Sequence, residues 1–290
     1  MKDIIVIVGP TGVGKTKLSI ELAKEMDAEI INGDSVSIYK RLNIGSAKPS
    51  IEERENIPHH LIDIRDVDED YSVFDYQTDC RRLINEITNR GKRVIIVGGT
   101  GLYIKAALYD YKFEEGTTYN NYDDLSNEEI LDRIKEYDVE VIPDINNRRR
   151  LERLLTRLEN GEEITNNKDN LLYPIKVIGL TTDRDYLYER INDRVDKMIS
   201  NGLLNEIESL KDSYNNSRIL NSGIGYKEFY DYLFNNKKLE EVINNIKQDS
   251  RRFAKRQYTF FNNQFNTKWF DVNFDDFNET VNKVYNYLNN

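Results

Sequence analysis

The sequence predicts an α/β protein with a doubly wound parallel sheet at its core and a smaller helical insertion. Three segments support this prediction, Ile4–Val8, Glu29–Asn32 and Arg93–Val97, because each reads as a short strand that ends in a glycine-containing turn. The order strand, turn, helix is repeated three times, which is typical of a parallel sheet covered by helices. Ile4–Val8 is apolar throughout, as expected of a strand buried on both faces.

The remaining elements follow from local patterns along the chain. Lys15–Met26 is predicted to be the first helix, and Phe74–Arg90 a second one that Gly91 closes as a C-cap. Between them, Ile44–Asp70 is rich in turn residues and is predicted to be a loop. Further along we expect a strand, two long helices and a short late strand, namely Lys176–Leu180, Asp185–Leu210, Glu240–Phe261 and Lys268–Phe270.

The character of the chain changes after about Glu114. Tyr119–Asn170 is rich in Asn, Asp and Arg and has weak apolar periodicity, which indicates a helical segment standing off the sheet. We therefore predict a catalytic core formed by residues 1–114 and 171–290 with its C-terminal helices, and a helical insertion formed by residues 115–170.

Composition limits the class of protein. The 290 residues are 39% hydrophobic, enough for one large core or a core with a smaller insertion. No apolar run approaches the roughly 20 residues that a membrane-spanning helix needs, and no signal peptide is evident. Cys80 is the single cysteine, and we interpret it as a small buried helix residue and not as a nucleophile. These features favour a cytoplasmic protein with no membrane partner.

The formal net charge of −10 argues against a nucleic-acid partner when it is taken alone. Binding depends on where positive charge clusters, however, and two stretches are locally basic, Arg148–Arg157 and Arg251–Arg256. At helical spacing either stretch can simply be a solvated helix face. They indicate RNA binding only if another feature does.

A phosphate-binding motif follows the first strand. It comprises Gly9, Pro10, Thr11, Gly12, Val13, Gly14, Lys15 and Thr16, and it lies between a strand and a helix as a P-loop requires. The backbone N–H groups of such a turn hold a di- or triphosphate, Lys15 adds a positive charge, and the hydroxyl of Thr16 can bind Mg²⁺. The motif predicts phosphate binding, with Mg²⁺ as cofactor, and leaves the reaction open.

Polar turns after the other two strands are predicted to meet the P-loop, because ligands of such sheets lie beyond the carboxyl ends of the strands. In the turn after the second strand, Asp34 is suited to three roles: a Mg²⁺ ligand, a general base or a helix cap. Thr100 brings a hydroxyl from the third turn. His59 and His60 are adjacent, so they point apart and are better suited to a structural role than to a metal pair.

A series of further segments makes the chain resemble the tRNA dimethylallyltransferase family. The series is GPTGVGKT, DSVSIYKRLNIGSAKP, IPHHLIDI, YSVFDY, VGGTGLYIKAAL, RRRLERLL, GIGYKEF and AKRQYTFF. These segments extend over nearly the full length and keep the family's order. The resemblance implies transfer of a dimethylallyl group from dimethylallyl diphosphate to the exocyclic amine (N6) of the adenosine 3′-adjacent to the tRNA anticodon, with release of pyrophosphate.

The resemblance also implies roles for individual residues. Asp34 matches the general base, Thr11 a threonine that bonds the diphosphate, and Arg194 an arginine that neutralises the leaving pyrophosphate. The residues that match contacts with the tRNA anticodon stem-loop are Asp34, Ser35, Val36, Ser37, Thr100, Arg149, Arg150, Arg153, Gly223, Gly225, Tyr226 and Lys227. The likeness also suggests a monomer. The chain departs from the family's pattern at Ile142–Asn147 and at Gly161–Glu163.

Two other classes of function remain at this point. A small-molecule or nucleotide kinase would use the same P-loop and place Asp34 near an accepting hydroxyl. The kinase hypothesis does not explain the two arginine stretches or the helical insertion. A non-catalytic nucleotide switch or RNA-binding module is the third reading, although no apolar strand ends in the aspartate that would sense hydrolysis. We expect a small apolar pocket for a prenyl donor, lined by the apolar residues at the strand ends together with Leu102 and Tyr103.

Overall fold

The computed structural model describes residues 2–111, 120–137, 139, 142–161 and 170–289. Within these ranges six strands form one sheet, in which every pairing of neighbours is parallel. The strands are β1 Ile4–Val8, β2 Ala28–Asn32, β3 His59–His60, β4 Arg93–Val97, β5 Ile175–Thr181 and β6 Thr267–Asp271. Their order across the sheet is β3-β2-β4-β1-β5-β6, so β1 and the P-loop after it lie near the middle.

Eleven α-helices connect or follow the strands in the described part of the chain. They are α1 Lys15–Met26, α2 Val73–Asn89, α3 Gly101–Leu108, α4 Asn127–Lys135, α5 Arg148–Glu159, α6 Arg184–Ser200, α7 Leu203–Ser209, α8 Arg218–Ser222, α9 Tyr230–Phe234, α10 Leu239–Gln264 and α11 Phe277–Asn289. Short 3₁₀ segments occur at Lys211–Asn215 and Lys227–Phe229. None of the described helices is both long enough and apolar enough to cross a membrane.

The side chains of β1 alternate between two hydrophobic cores. Ile4, Val6 and Val8 pack with residues of α2 and α3 on one face of the sheet. Ile5 and Ile7 pack with residues of α1, α6 and α11 on the other face. Because successive strand residues point to opposite faces, a strand with no polar alternation requires helices on both sides. The predicted doubly wound α/β fold is confirmed.

The structure corrects the predicted helix Asp185–Leu210. This segment is two helices, α6 and α7, separated at Gly202, whose φ is +95°. A left-handed glycine ends a helix without the strain that a Cβ would cause. The break lets α7 approach the loop that follows β2, a contact that matters for the site described below.

The histidine pair lies in a strand and not in the loop that the sequence predicted. His59 and His60 form the edge strand β3 and pair with Ile30 and Ile31. Nε2 of His60 lies 2.7 Å from Oε2 of Glu29. Both histidines thus belong to the sheet, and His59 also lines the cavity described below, so a purely structural role for the pair stays a prediction.

Cys80 is fully buried in α2, as the sequence predicted. Burial raises the pKa of its thiol to about 12, which keeps the sulfur protonated and unreactive at neutral pH.

The chain divides into two compact units, one of Met1–Tyr111 with Leu171–Asn290 and the other of Lys112–Asn170. In the second unit α4 and α5 enclose a small core of their own, formed by Tyr122, Ile130, Ile134, Leu151, Leu154 and Leu155. The predicted boundary near Glu114 and the departure at Glu162 and Glu163 lie outside the described residues. That the insertion contacts tRNA stays a prediction.

Candidate active site at the carboxyl ends of the strands

A cavity of about 720 Å³ lies beyond the carboxyl ends of β1, β2 and β4. All three polar turns contribute to it, as the sequence predicted. The predicted site residues that line it are Thr11, Gly12, Gly14, Lys15, Thr16, Asp34, Ser35, Val36, Ser37, Thr100, Arg194, Gly223, Gly225 and Lys227. Segments that are far apart in sequence thus meet at one place.

The P-loop, residues Gly9–Thr16, owes its shape to three glycines with positive φ. These angles are +136° at Gly9, +88° at Gly12 and +91° at Gly14. A Cβ at Gly14 would also lie 2.6 Å from the ring of Phe277, the first residue of α11. The loop is therefore packed against a distant helix, and its backbone N–H groups are held at the N-terminus of α1.

Lys15 turns back into the P-loop. Its Nζ donates hydrogen bonds to the carbonyl oxygens of Gly9 (2.9 Å) and Pro10 (2.7 Å). The pKa of the Lys15 ammonium is lowered to about 7, chiefly by burial and then by the positive charge of Arg194, while the negative charge of Asp34 opposes both. An arriving phosphate would supply the anion that this cluster of positive charge lacks.

The turn after β2 is joined to the turn after β4 by hydrogen bonds. Thr100 Oγ1 accepts from the backbone N–H of Ser35 (3.0 Å), and the Thr100 backbone N–H donates to Gly33 O (3.1 Å). At Gly98 a Cβ would lie 2.2 Å from the backbone of Gly33, so only glycine allows this approach. The two turns form one rigid wall of the cavity.

Asp34 is held on this wall by hydrogen bonds to the side chain of Asn32 and to the backbone of Val36 and Ser37. Its backbone N–H donates to Asn32 Oδ1 (3.1 Å), and Asn32 Nδ2 donates to Asp34 O (2.9 Å). Oδ1 of Asp34 accepts from the N–H groups of Val36 (2.9 Å) and Ser37 (3.4 Å). These bonds engage one carboxylate oxygen and orient the group, in a cavity that Lys15 and Arg194 also line.

Two arginines of α6 reach the cavity, and sequence reasoning named only one of them. Burial lowers the pKa of Arg194, whose Nη2 donates to Ser46 O (3.4 Å). Arg190, one helical turn earlier, donates from Nε to the P-loop carbonyl of Gly12 (3.1 Å) and stacks 3.9 Å from the ring centroid of Phe274. The spacing of four residues between the two arginines was the signal that could have identified Arg190.

Gln257 of α10 is a second residue that the sequence did not single out. It is 4% exposed, lines the cavity and donates from Nε2 to Gly99 O (3.0 Å). Its Oε1 has no hydrogen-bond partner among the described residues. A buried acceptor without a partner is unfavourable, so this oxygen is available to a donor group of a ligand.

The turn Gly223–Lys227 borders the cavity, but its members differ in access. Tyr226 is fully buried, and its hydroxyl donates to Glu206 Oε1 (2.7 Å). Its side chain is therefore not exposed, and contact of tRNA with this turn stays a prediction. Lys227 lines the cavity and donates to Asp249 Oδ2 (2.7 Å).

The apolar lining of the cavity agrees with our expectation only in part, because Val97 at the end of β4 lines it. Leu102 and Tyr103 do not line it; Leu102 is 40% exposed, and the hydroxyl of Tyr103 donates to Tyr71 O. The rest of the apolar lining comes from the turn after β2 and from α6, α8 and α10. It includes Val36, Val195, Met198, Ile219 and Ile246.

The basic stretch of α5 belongs to the second unit and presents two kinds of arginine. Arg148 is structural, because it donates to Leu125 O, Tyr122 O (2.6 Å) and Glu152 Oε1 (2.6 Å). Arg149, Arg150 and Arg153 are exposed, whereas Leu151, Leu154 and Leu155 of the same helix are buried.

Comparisons with known proteins agree on one family. A family model described as IPP transferase matches residues 37–264. A tRNA dimethylallyltransferase from Anoxybacillus flavithermus is 44% identical over 99% of this chain and 96% of its own length. Another from Bacillus licheniformis is 45% identical over 93% of this chain and 90% of its own.

Solved structures give the same answer. The tRNA isopentenylpyrophosphate transferase from Bacillus halodurans superposes with a TM-score of 0.78 and 38% identity, covering 99% of this chain and 96% of that one. A eukaryotic dimethylallyltransferase described as acting on tRNA gives a TM-score of 0.75 and 31% identity over 93% of this chain and 74% of that one. With its P-loop, paired turns and α6 arginines in one cavity, the chain belongs to the IPP transferase family.

Proposed function

We propose that this protein transfers a dimethylallyl group from dimethylallyl diphosphate to N6 of the adenosine 3′-adjacent to the anticodon of tRNA, and releases pyrophosphate. The observation that carries the proposal is the arrangement of the cavity. Lys15 and Arg194 supply positive charge for a diphosphate, and Asp34 lies in the same cavity as an acceptor of a proton. Relatives of high identity are named tRNA dimethylallyltransferase.

The leaving group is the charged partner in this reaction. As the bond between the allylic carbon and the diphosphate oxygen breaks, negative charge grows on both phosphates. The P-loop residues Gly9, Pro10, Thr11, Gly12, Val13, Gly14, Lys15 and Thr16 form the proposed diphosphate site, with N–H groups at the start of α1. Arg194 neutralises the leaving pyrophosphate, and the hydroxyl of Thr11 bonds the diphosphate. Such preorganised charge is usually the largest contribution to rate.

The acceptor, an adenine of tRNA, requires a general base for its proton and a way into the cavity. The exocyclic amine of adenine attacks the allylic carbon, and Asp34 accepts the proton that the amine loses, so that a neutral secondary amine remains. The adenine must leave the stacked anticodon loop to reach a cavity of this depth, as chemistry on a base generally requires. Asp34, Ser35, Val36, Ser37 and Thr100 form the wall that it would meet.

Mg²⁺ is the proposed cofactor, and the oxygen donors of the cavity fit it. The described residues contain no cluster of three His, Cys, Asp or Glu side chains able to hold a metal. The hydroxyl of Thr16 lines the cavity, and Mg²⁺ commonly uses one or two protein oxygens with substrate phosphates and water. When bound, the ion adds positive charge beside the diphosphate.

The tRNA partner is proposed to contact both units. Arg149, Arg150 and Arg153 suit contacts with phosphates, and Gly223, Gly225 and Lys227 border the cavity. The side chain of Tyr226 is buried beneath this surface and supports the turn through its hydrogen bond to Glu206. We propose that the protein functions as a monomer, which size-exclusion chromatography with light scattering tests.

One assay tests the function against the kinase alternative, which the relatives do not favour. The protein is incubated with tRNA and either allyl-labelled dimethylallyl diphosphate or γ-labelled ATP. We expect label from the allyl carbon in tRNA, stoichiometric pyrophosphate and no transfer from ATP. Lys15→Ala should abolish transfer while tRNA still binds. Stoichiometric ADP with no allyl label in tRNA would overturn the proposal.

A further inference from the structure

Glu206 of α7 binds three consecutive backbone N–H groups of the loop that follows β2. Oε2 accepts from Asn43 (3.0 Å) and Ile44 (2.8 Å), and Oε1 accepts from Gly45 (3.2 Å). Oε1 also accepts from the hydroxyl of Tyr226 (2.7 Å). Hydrogen bonds to an ionised acceptor are stronger than neutral ones, so this one carboxylate is a strong anchor for three successive residues of the segment.

The secured segment ends at the cavity. Gly45 and Ser46 line it, and the carbonyl oxygen of Ser46 accepts from Arg194 Nη2 (3.4 Å). Arg194 is the residue proposed to neutralise pyrophosphate. Glu206 itself is not among the residues that line the cavity, so any effect that it has on the ligand acts through this segment.

The segment has little room to move. A Cβ at Gly45 would lie 2.6 Å from the ring of Tyr226, and one at Gly225 would lie 3.1 Å from Gly45 O. The Asn43–Ser46 segment and the turn that contains Tyr226 therefore touch directly. Loss of the Glu206 carboxylate would leave the N–H groups of Asn43, Ile44 and Gly45 without this acceptor.

We infer that Glu206 is a positioning residue that fixes Asn43–Ser46 beside the cavity and, through the Ser46 carbonyl, sets the orientation of Arg194 toward the diphosphate. This inference rests on the proposed function. It adds a residue outside the cavity that determines how tightly the diphosphate end of the donor is held.

Glu206→Gln is the test. The amide retains one acceptor oxygen, which can bind either the N–H groups of Asn43 and Ile44 or those of Gly45 and the Tyr226 hydroxyl, and its NH₂ group then faces the other two donors without accepting from them. We expect pyrophosphate binding, measured by calorimetry, to weaken by about tenfold, the size of one charge-assisted hydrogen bond. The KM for dimethylallyl diphosphate should rise by a similar factor. Glu208→Gln, on the same helix and exposed, is the matched control and should leave both unchanged.

A double-mutant cycle separates positioning from general destabilisation. If Glu206 acts through Arg194, Glu206→Gln should weaken pyrophosphate binding by less than about twofold in an Arg194→Ala background, since coupled residues are not additive. Additive losses, or unchanged pyrophosphate binding in the single variant, would overturn the inference. Should Glu206→Gln not fold, Tyr226→Phe keeps the ring and removes one of the four donors. It enters the same cycle with an expected two- to threefold loss.

The pyrophosphate measurement also distinguishes the two proposals. A wild-type protein that binds pyrophosphate but transfers no allyl label to tRNA refutes the proposed function. Wild-type transfer with an additive cycle refutes the role of Glu206 alone.

Discussion

Lys15 should make binding of the diphosphate donor depend on pH near neutrality. The pKa of this ammonium is lowered to about 7, chiefly by burial and then by the charge of Arg194, while Asp34 raises it. The lysine of a P-loop grips phosphate only in its protonated form. Raising the pH from 7 to 9 therefore removes the positive charge from the ligand-free site, and binding must include uptake of a proton.

The size of the effect follows from the fraction of protonated lysine. With a pKa of about 7, about half of the free protein carries the charge at pH 7, about a tenth at pH 8 and about a hundredth at pH 9. A bound diphosphate raises the pKa of Lys15 above this range. The dissociation constant should thus increase about fivefold from pH 7 to 8 and about 50-fold from pH 7 to 9.

Calorimetric titration with dimethylallyl diphosphate in buffers of different ionisation enthalpy measures both the affinity and the proton uptake. Lys15→Arg is the matched control, because a guanidinium stays protonated throughout this range. Its affinity, although weaker, should not fall between pH 7 and 9. A wild-type affinity that is constant from pH 7 to 9, or an equal fall in Lys15→Arg, would refute the role assigned to the ammonium.

Three further changes probe the base, the loop and the RNA surface. Asp34→Asn keeps the Oδ1 acceptor, so we expect an unchanged melting temperature and a loss of single-turnover transfer of about 10²–10⁴-fold; a near wild-type rate would exclude Asp34 as the base. Gly12→Ala should destabilise the protein by about 1–2 kcal/mol through its positive φ alone. Gly14→Ala should destabilise it more, because a Cβ there would lie 2.6 Å from an aromatic ring, whereas nothing lies within 4 Å at Gly12; equal melting temperatures would contradict this. The double variant Arg149→Ala, Arg153→Ala should reduce the slope of log K, the association constant for tRNA, against log salt concentration by roughly 1.4–1.8. An unchanged slope would mean that these arginines form only a solvated helix face and do not contact tRNA.

The core of the fold could be predicted from the sequence because its signals are local. The apolar run Ile4–Val8, the glycines of the P-loop and the strand Arg93–Val97 each determine their own conformation. The edge strand β3 was missed because two residues with polar side chains carry no periodicity. The break at Gly202 was missed because a single glycine within a helical pattern is tolerated, so only the observed φ of +95° reveals it.

Site residues that follow the strands could be predicted from motifs. Site residues that reach the cavity only through packing of distant helices could not. Lys15, Asp34 and Thr100 follow strands directly, so the topology of a parallel sheet brings them together. Gln257 comes from a helix far along the chain, and nothing local to it indicates a cavity. Tyr226 shows that a turn at the site can contain a side chain that points into the core, which the sequence of the turn does not reveal.

The backbone segments that face the proposed diphosphate are each held by a side chain from elsewhere in the chain. Arg190 binds the carbonyl of Gly12 in the P-loop, Thr100 joins the turn after β2, and Glu206 secures Asn43–Gly45. Donors that are already in place do not need to reorganise as charge develops, which is the condition for electrostatic catalysis. A P-loop alone grips phosphate without deciding which bond breaks. These three remote contacts fix the P-loop, the turn after β2 and the Asn43–Gly45 segment, and we propose that they thereby orient the groups that take part in the reaction.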